Sequence, residues 1–195
     1  MTNDRSLAWG LVTGGLVGFV AAAALLIERI KLSQDSGYVP TCSINPVLSC
    51  GSVMESAQAS LLGFPNPIIG VAAFPVVVTT GMVLLAGGRV VRWYWLGLQA
   101  GVTAALGLVV WLIFQSLYRI GALCPYCMVV WAVVLPLFLY VTLRNVYAGV
   151  MGRRAAEGRI VAVLRDWHAP LLLLAYLLVI ALITERFWSY WSTLL

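Results

Sequence analysis

Four cysteines in two pairs carry the reactive side chains of this chain. Cys124 and Cys127 form the tetrad "CPYC", which opens the long apolar run "MVVWAVVLPLFLYV". If that run is a helix, both cysteines sit in its first turn, and their spacing puts the two sulfurs within disulfide reach. Unpaired N–H groups at a helix N-terminus stabilise a thiolate, and a thiolate is the nucleophile of thiol–disulfide exchange. Pro125 restricts the backbone between them. Cys127 lies about one turn deeper, roughly 4–5 Å at 1.5 Å per residue, where it can meet a membrane-soluble reactant that Cys124 need not touch. The second pair, Cys42 and Cys50, lies in "TCSINPVLSCGS". Its Ser, Asn, Pro and Gly neighbours are loop chemistry, and a disulfide across so short a loop closes easily. Static disulfides are the plain alternative for both pairs, and four thiolates also suit zinc. We take redox exchange as the reading, with Cys42–Cys50 as a shuttle that passes electrons to Cys124–Cys127.

The elements that must position these sulfurs belong to a membrane protein. Of 195 residues, 62% are apolar and only 10% are charged, against roughly a quarter charged in soluble domains. Mean hydropathy is +0.97. The net charge of +5 is not gathered into a nucleic-acid footprint. A span needs about 20 apolar residues, and five segments qualify: about 7–27, 67–87, 94–117, 124–143 and 168–187. The run from Ser6 to Ile27 is too long for a signal-peptide core and lacks a cleavage site before Glu28 and Arg29, so it is expected to be a retained first span. The basic residues set the orientation. With a cytoplasmic N-terminus, Arg5, Arg89, Arg92, Arg144, Arg153, Arg154, Arg159 and Arg165 lie inside. Arg29, Lys31, Arg119 and Arg186 lie outside. This places the loop 28–66 and the start of the fourth span on one extracytoplasmic, oxidising face. His168, the one histidine, falls on the other side.

Packing signals accompany the spans. Gly14 with Gly18, and Gly97 with Gly101, are small-xxx-small pairs suited to close helix contact. Pro75 and Pro136 are expected to kink the second and fourth spans. In the outer loop, Ser52-x-x-Glu55 has the form of a capping box. Val53, Ala57, Leu61 and Phe64 then recur at helical spacing, predicting a short amphipathic helix on the membrane surface.

Electrons that reach the membrane need an acceptor. The sequence has no haem-attachment motif, P-loop or dinucleotide fingerprint in a strand–helix context, which leaves a lipid-soluble quinone held among apolar walls.

With "CSINPVLSC" in the first outer loop, "CPYC" at the fourth span, "CGS" after the loop pair and "PNPIIG" at the second span, the chain resembles the vitamin K epoxide reductase family, in particular its bacterial members, over about residues 8–143. DsbB-type oxidases do similar work with the two cysteine motifs in the reverse order. The resemblance implies that Cys127 contacts quinone and that Cys124 exchanges with the loop. It further implies that Cys50 forms the inter-loop disulfide with Cys124, and that Cys42 is attacked by the partner. It also implies a quinone site with Asn66 bonding a quinone carbonyl and Trp131 as a wall, and gives Ser52 a part in positioning the cysteines. Trp131 stands where vertebrate members have a tyrosine, so quinone reduction is the reading rather than epoxide reduction. Some bacterial relatives continue past the fifth span into a thioredoxin-like domain; here the redox partner is expected in trans.

The expected architecture is an all-α membrane protein: a four-helix transmembrane bundle around a quinone site plus a fifth transmembrane helix. Residues 1–143 form the catalytic core, 144–167 a basic cytoplasmic loop, and 168–195 the fifth helix and C-terminus. The expected function is reoxidation of a DsbA-like thioredoxin-fold protein at the cell's inner or plasma membrane, with reduction of menaquinone or ubiquinone. The rivals are a non-enzymatic scaffold with structural disulfides, a vitamin K quinone or epoxide reductase, and an exporter of reductant. The exporter needs a thiol pair open to the inner face, and the charge count puts none there.

Overall fold

The computed structural model describes residues 4–35, 37–61, 63–150, 152 and 166–192. Among these described residues, five helices are long and apolar enough to cross a membrane. They are α1 (Asp4–Gln34), α3 (Pro67–Leu85), α4 (Arg92–Gln115), α5 (Pro125–Tyr147) and α6 (His168–Arg186). The outer loop holds α2 (Cys50–Glu55) and a 3-10 turn (Ala57–Ser60), and α7 (Trp188–Trp191) follows α6. Arg153, Arg154, Arg159 and Arg165, which weighed in the orientation argument, lie outside the described residues.

The helix limits follow local chemistry. α3 and α5 both carry proline in the first turn, where its missing N–H costs nothing. α4 runs into a π turn, Ser116–Ile120, closed by a Gly121 N–H bond to Ser116 O and ended by Gly121 in the left-handed region. α1 is longer than expected. Its 31 residues reach about 46 Å at 1.5 Å per residue, beyond a hydrocarbon layer of about 30 Å. Its last turns therefore stand clear of the apolar zone and carry Glu28, Arg29 and Lys31.

α1 packs along α3 and α5, and α4 packs on α5. Closeness at α1–α3 comes from glycine. A methyl at Gly18 would fall within the Phe74 ring, and one at Gly81 would meet Val12 and the Ala8 carbonyl at 2.7 and 2.8 Å. The other predicted pair behaves differently. Gly97 and Gly101 face open space, because α3 and α4 make no extended contact. They are joined where the Thr80 and Tyr94 hydroxyls bond at 2.6 Å. The gap between them is a cavity.

The mid-helix prolines take no part in the wall of that cavity. Pro75 and Pro136 sit inside continuous helices, and neither lines it. Pro136 has another effect. It cannot bond the Ala132 carbonyl four residues back, and that carbonyl accepts the Tyr176 hydroxyl of α6 at 2.6 Å. α6 otherwise stands at the periphery with no buried residue, pinned again where Arg186 Nε donates to Leu117 O at 2.8 Å.

The outer-loop helix also differs from expectation. Its cap is Ser49, whose Oγ accepts from Ser52 N at 3.4 Å, so Ser52 lies within the helix and does not cap it. The chain becomes extended at Ser56, which breaks the predicted single helix in two and leaves Leu61 and Phe64 exposed.

Filling Gly18 should be costly, since overpacking a tight interface costs about 1–3 kcal/mol. Gly18→Val should lower the thermal unfolding midpoint in detergent, while Gly101→Ala should not. An equal loss in both would mean that the α4 wall bears packing load.

Candidate active site

The two cysteine motifs are brought together by backbone pairing. In the loop, the Asn45 side-chain oxygen accepts from the N–H groups of Val47 and Leu48 at 3.0 and 2.7 Å. This turn presents residues 47–49 to the strand-like residue Leu123. The Leu123 N–H bonds Val47 O at 2.7 Å, and the Ser49 N–H bonds Leu123 O at 2.9 Å, an isolated parallel bridge of Leu48 with Leu123. Cys50 and Cys124 each follow directly, one starting α2 and the other preceding α5. Their sulfurs lie 3.2 Å apart.

Cys42 and Cys50 are joined as a disulfide, and Cys124 and Cys127 are free thiols. The sulfurs of Cys42, Cys50 and Cys124 all lie within 4.8 Å of one another. Two of these three sulfurs are joined in the disulfide, so the cluster holds one thiol in this state. The Cys124 thiol thus lies against Cys50 of the loop disulfide, close enough for thiol–disulfide exchange between the two motifs. Cys127 beside it in the first turn, then the N–H groups of Cys127 and Tyr126, hold the Cys124 thiol below the usual thiol range, against burial, which acts the other way.

Cys127 touches this cluster through Cys124 and also faces a second space. It is half-buried and lines a cavity of about 750 Å³ between α1, α3, α4 and α5, within the range of about 300–1,000 Å³ usual for small-ligand sites. Trp131, one turn further along α5, is buried on the same wall, and Asn66 lines the mouth. Most of the Asn66 side chain is committed to the loop. Its Nδ2 donates to Gln58 O at 2.7 Å and its Oδ1 accepts from Leu61 N at 3.0 Å, which leaves one amide hydrogen. Ser52 is not part of the cavity wall; it bonds Ser49 Oγ at 2.9 Å, two residues from Cys50, and braces the start of α2.

Sequence reasoning treated Arg29 only as a topology charge. It lies on the α1 face of Ala22 and Leu25 and, with them, lines the cavity, where it is the one charged residue among those described. Its spacing from Leu25, four residues on, was the available signal.

The order of motifs, the paired sulfurs and the adjoining cavity agree with a family-level match over residues 9–142, to the vitamin K epoxide reductase family. The chain belongs to that family. No curated protein sequence matches it. Members of the vitamin K epoxide reductase family are oxidoreductases that use quinone-type substrates or cofactors, and the five apolar helices with a disulfide-forming cysteine cluster make this chain a multi-pass membrane redox protein.

Two outcomes follow from the sulfur geometry. In Cys127→Ser, Cys124 can displace Cys42 from Cys50 but nothing on α5 can resolve the product, so a Cys50–Cys124 bond should accumulate on non-reducing peptide mapping. A Cys42–Cys124 bond instead would reverse the two loop roles. Second, because contacts that favour the thiolate lower a thiol pKa, the Cys124 thiolate absorbance step, read with the loop disulfide intact, should come at lower pH than that of an ordinary exposed thiol. Cys127→Ala removes the largest of those contacts and should move the step upward in pH. An unmoved step would assign the shift to other groups.

Proposed function

We propose that this protein is a thiol:quinone oxidoreductase that reoxidises a DsbA-like thioredoxin-fold protein in trans and so drives disulfide formation in exported proteins. The observation that carries the reading is the division of the cysteines. Three sulfurs form an exchange cluster beneath the outer loop, and the fourth, Cys127, lines an apolar cavity. A protein dithiol reduces Cys42–Cys50 and leaves with its own disulfide. The Cys50 thiolate attacks Cys124 of an oxidised Cys124–Cys127 pair and Cys127 leaves as thiolate; Cys42 then attacks Cys50, the Cys50–Cys124 bond breaks with Cys124 leaving as thiolate, and the loop disulfide is restored. A Cys42–Cys50 disulfide beside free Cys124 and Cys127 thiols is the pattern such a step would leave. Two thiols closing to a disulfide release two electrons and two protons, which is what a quinone takes up in becoming a hydroquinone.

The residues around Cys127 suit such an acceptor. Trp131 offers a flat wall, and Asn66 has one N–H to direct at a carbonyl oxygen. Such a bond is worth about 0.5–1.5 kcal/mol net, more where negative charge develops. The assigned orientation puts both cysteine pairs on the extracytoplasmic face of the inner or plasma membrane, with the N-terminus cytoplasmic.

Stopped-flow oxidation of a reduced thioredoxin-fold protein by the purified chain, with and without added menaquinone or ubiquinone, tests the reading. Turnover should require quinone and all four cysteines. Asn66→Ala should slow quinone reduction about tenfold, a loss of about 1.4 kcal/mol, while leaving exchange at Cys42–Cys50 intact. A dithiol small enough to enter the cavity should still drive quinone reduction in Cys42→Ala but not in Cys127→Ala. Equal loss in both variants would refute a serial relay. Turnover without quinone would refute the acceptor.

A further inference from the structure

The loop sulfur that an external thiol must reach is not open to solvent. Cys42 is 5% exposed and Cys50 0%. The residues from 37 to 42 form no helix or strand that could hold them there. Turn bonds from Tyr38 N to Asp35 O and from Ser43 N to Pro40 O and the disulfide at Cys42 anchor the ends of this stretch, and a side chain from α1 holds its middle. Glu28 is 6% exposed, and its Oε2 accepts both the Tyr38 hydroxyl and the Thr41 N–H, each at 3.0 Å. Thr41 is the residue directly before Cys42. The other carboxylate oxygen lies 3.8 Å from Lys31 Nζ, and that ammonium sits over the Tyr38 ring at 5.6 Å. Losing both donors at one carboxylate oxygen leaves that oxygen short of partners, so the two contacts favour the same closed arrangement. The extended outer end of α1 places this carboxylate above the apolar zone.

We infer that Glu28 is a specificity-determining residue, a latch that keeps the Cys42–Cys50 bond closed to small thiols and leaves it to protein thiols. It rests on the reading of Cys42–Cys50 as the pair that receives electrons. Reduction begins when an incoming thiolate attacks Cys42 Sγ: a mixed disulfide forms, the Cys42–Cys50 bond breaks, and Cys50 leaves as thiolate. A second thiolate then releases Cys42 and departs as the incoming thiols' disulfide, with their two protons passing to Cys42 and Cys50. The first attack needs an in-line approach to a sulfur that is shielded among Leu25, Met54 and Cys124, and the latched Thr41 N–H fixes the backbone directly before it. A small thiol brings no binding energy to lift that backbone. A protein can bind the segment around the disulfide, where Val39 and Ile44 stand 71% and 70% exposed on either side of Cys42, and draw Thr41 away from Glu28.

The test uses the full chain in lipid nanodiscs without quinone. Reduction of Cys42–Cys50 is timed by mass tagging with two reductants: 2-sulfanylethanesulfonate as the small thiol and a reduced thioredoxin-fold dithiol protein as the large one. Glu28→Ala should raise the small-thiol rate constant tenfold or more and lower the protein-to-small-thiol selectivity in proportion. Tyr38→Phe removes one donor and leaves the fold untouched, and should raise that rate about threefold. Alkylation of Cys127 should stay at the wild-type rate in both. A small-thiol rate within twofold of wild type in both variants overturns the latch. So does a parallel rise at Cys127, which would report general loosening. If the variants behave as expected but no thioredoxin-fold protein reduces the wild-type disulfide, the latch stands and the proposed partner is wrong.

Discussion

The short pairing of residues 47–49 with Leu123 is the constraint on which the site depends. Two backbone hydrogen bonds join an otherwise irregular loop to the last residue before the Cys124 turn. Each partner is followed at once by a cysteine or by the residue that caps one. Backbone bonds have fixed geometry, so fixing register at Leu48 and Leu123 fixes the sulfur separation as well. The Asn45 turn shapes one side of this contact and the Gly121 exit from α4 shapes the other. Without the bridge, the loop pair and the helix pair would be two unrelated redox motifs on one membrane face.

The remainder of the bundle holds that contact steady by satisfying polar groups internally, as a membrane interior demands. At the end of α4–α5 away from the cysteines, Asn145 is fully buried and donates to Gln99 Oε1 at 3.0 Å and to Trp95 O at 3.2 Å. Gln99 in turn donates to Thr142 Oγ1 at 2.9 Å. Arg144 covers the Trp95 ring at 3.6 Å. This network ties α4 to α5 at one end, and the π turn and Leu123 tie them at the other. The fifth helix is held by the same economy, through carbonyls left free by Pro136 and at the end of α4.

Much of this was legible in sequence because the signals were strong and local. Continuous apolar runs marked all five long helices, and the cysteine spacing marked both halves of the site. α1 was read too short because its last turns are polar, and a hydropathy window ends where hydrocarbon ends although the helix does not. Ser52 was read as a cap because the capping-box pattern is matched by chance in a serine-rich loop; Ser49, three residues earlier, takes that place. Gly97 and Gly101 show the deeper limit. Their spacing is the same as that of Gly14 and Gly18, yet one pair meets a neighbouring helix and the other meets none. Which face of a helix is occupied is a property of the whole bundle, and no local pattern holds it. Glu28 was passed over for the same reason: its partners, Tyr38 and Thr41, lie ten and thirteen residues away through an irregular segment.

The bare α4 wall has a consequence for how such a protein changes over generations. Gly97, Gly101, Ala104 and Ala105 shape the cavity by what they lack, and a side chain added at Gly97 or Gly101 meets no other helix. Those two positions can therefore vary without disturbing the α1–α3 seam or the sulfur cluster. Cys127 and Trp131 on α5 line the same cavity, so α4 is the wall on which the chamber's shape can change while the sulfur-bearing wall is inherited unchanged.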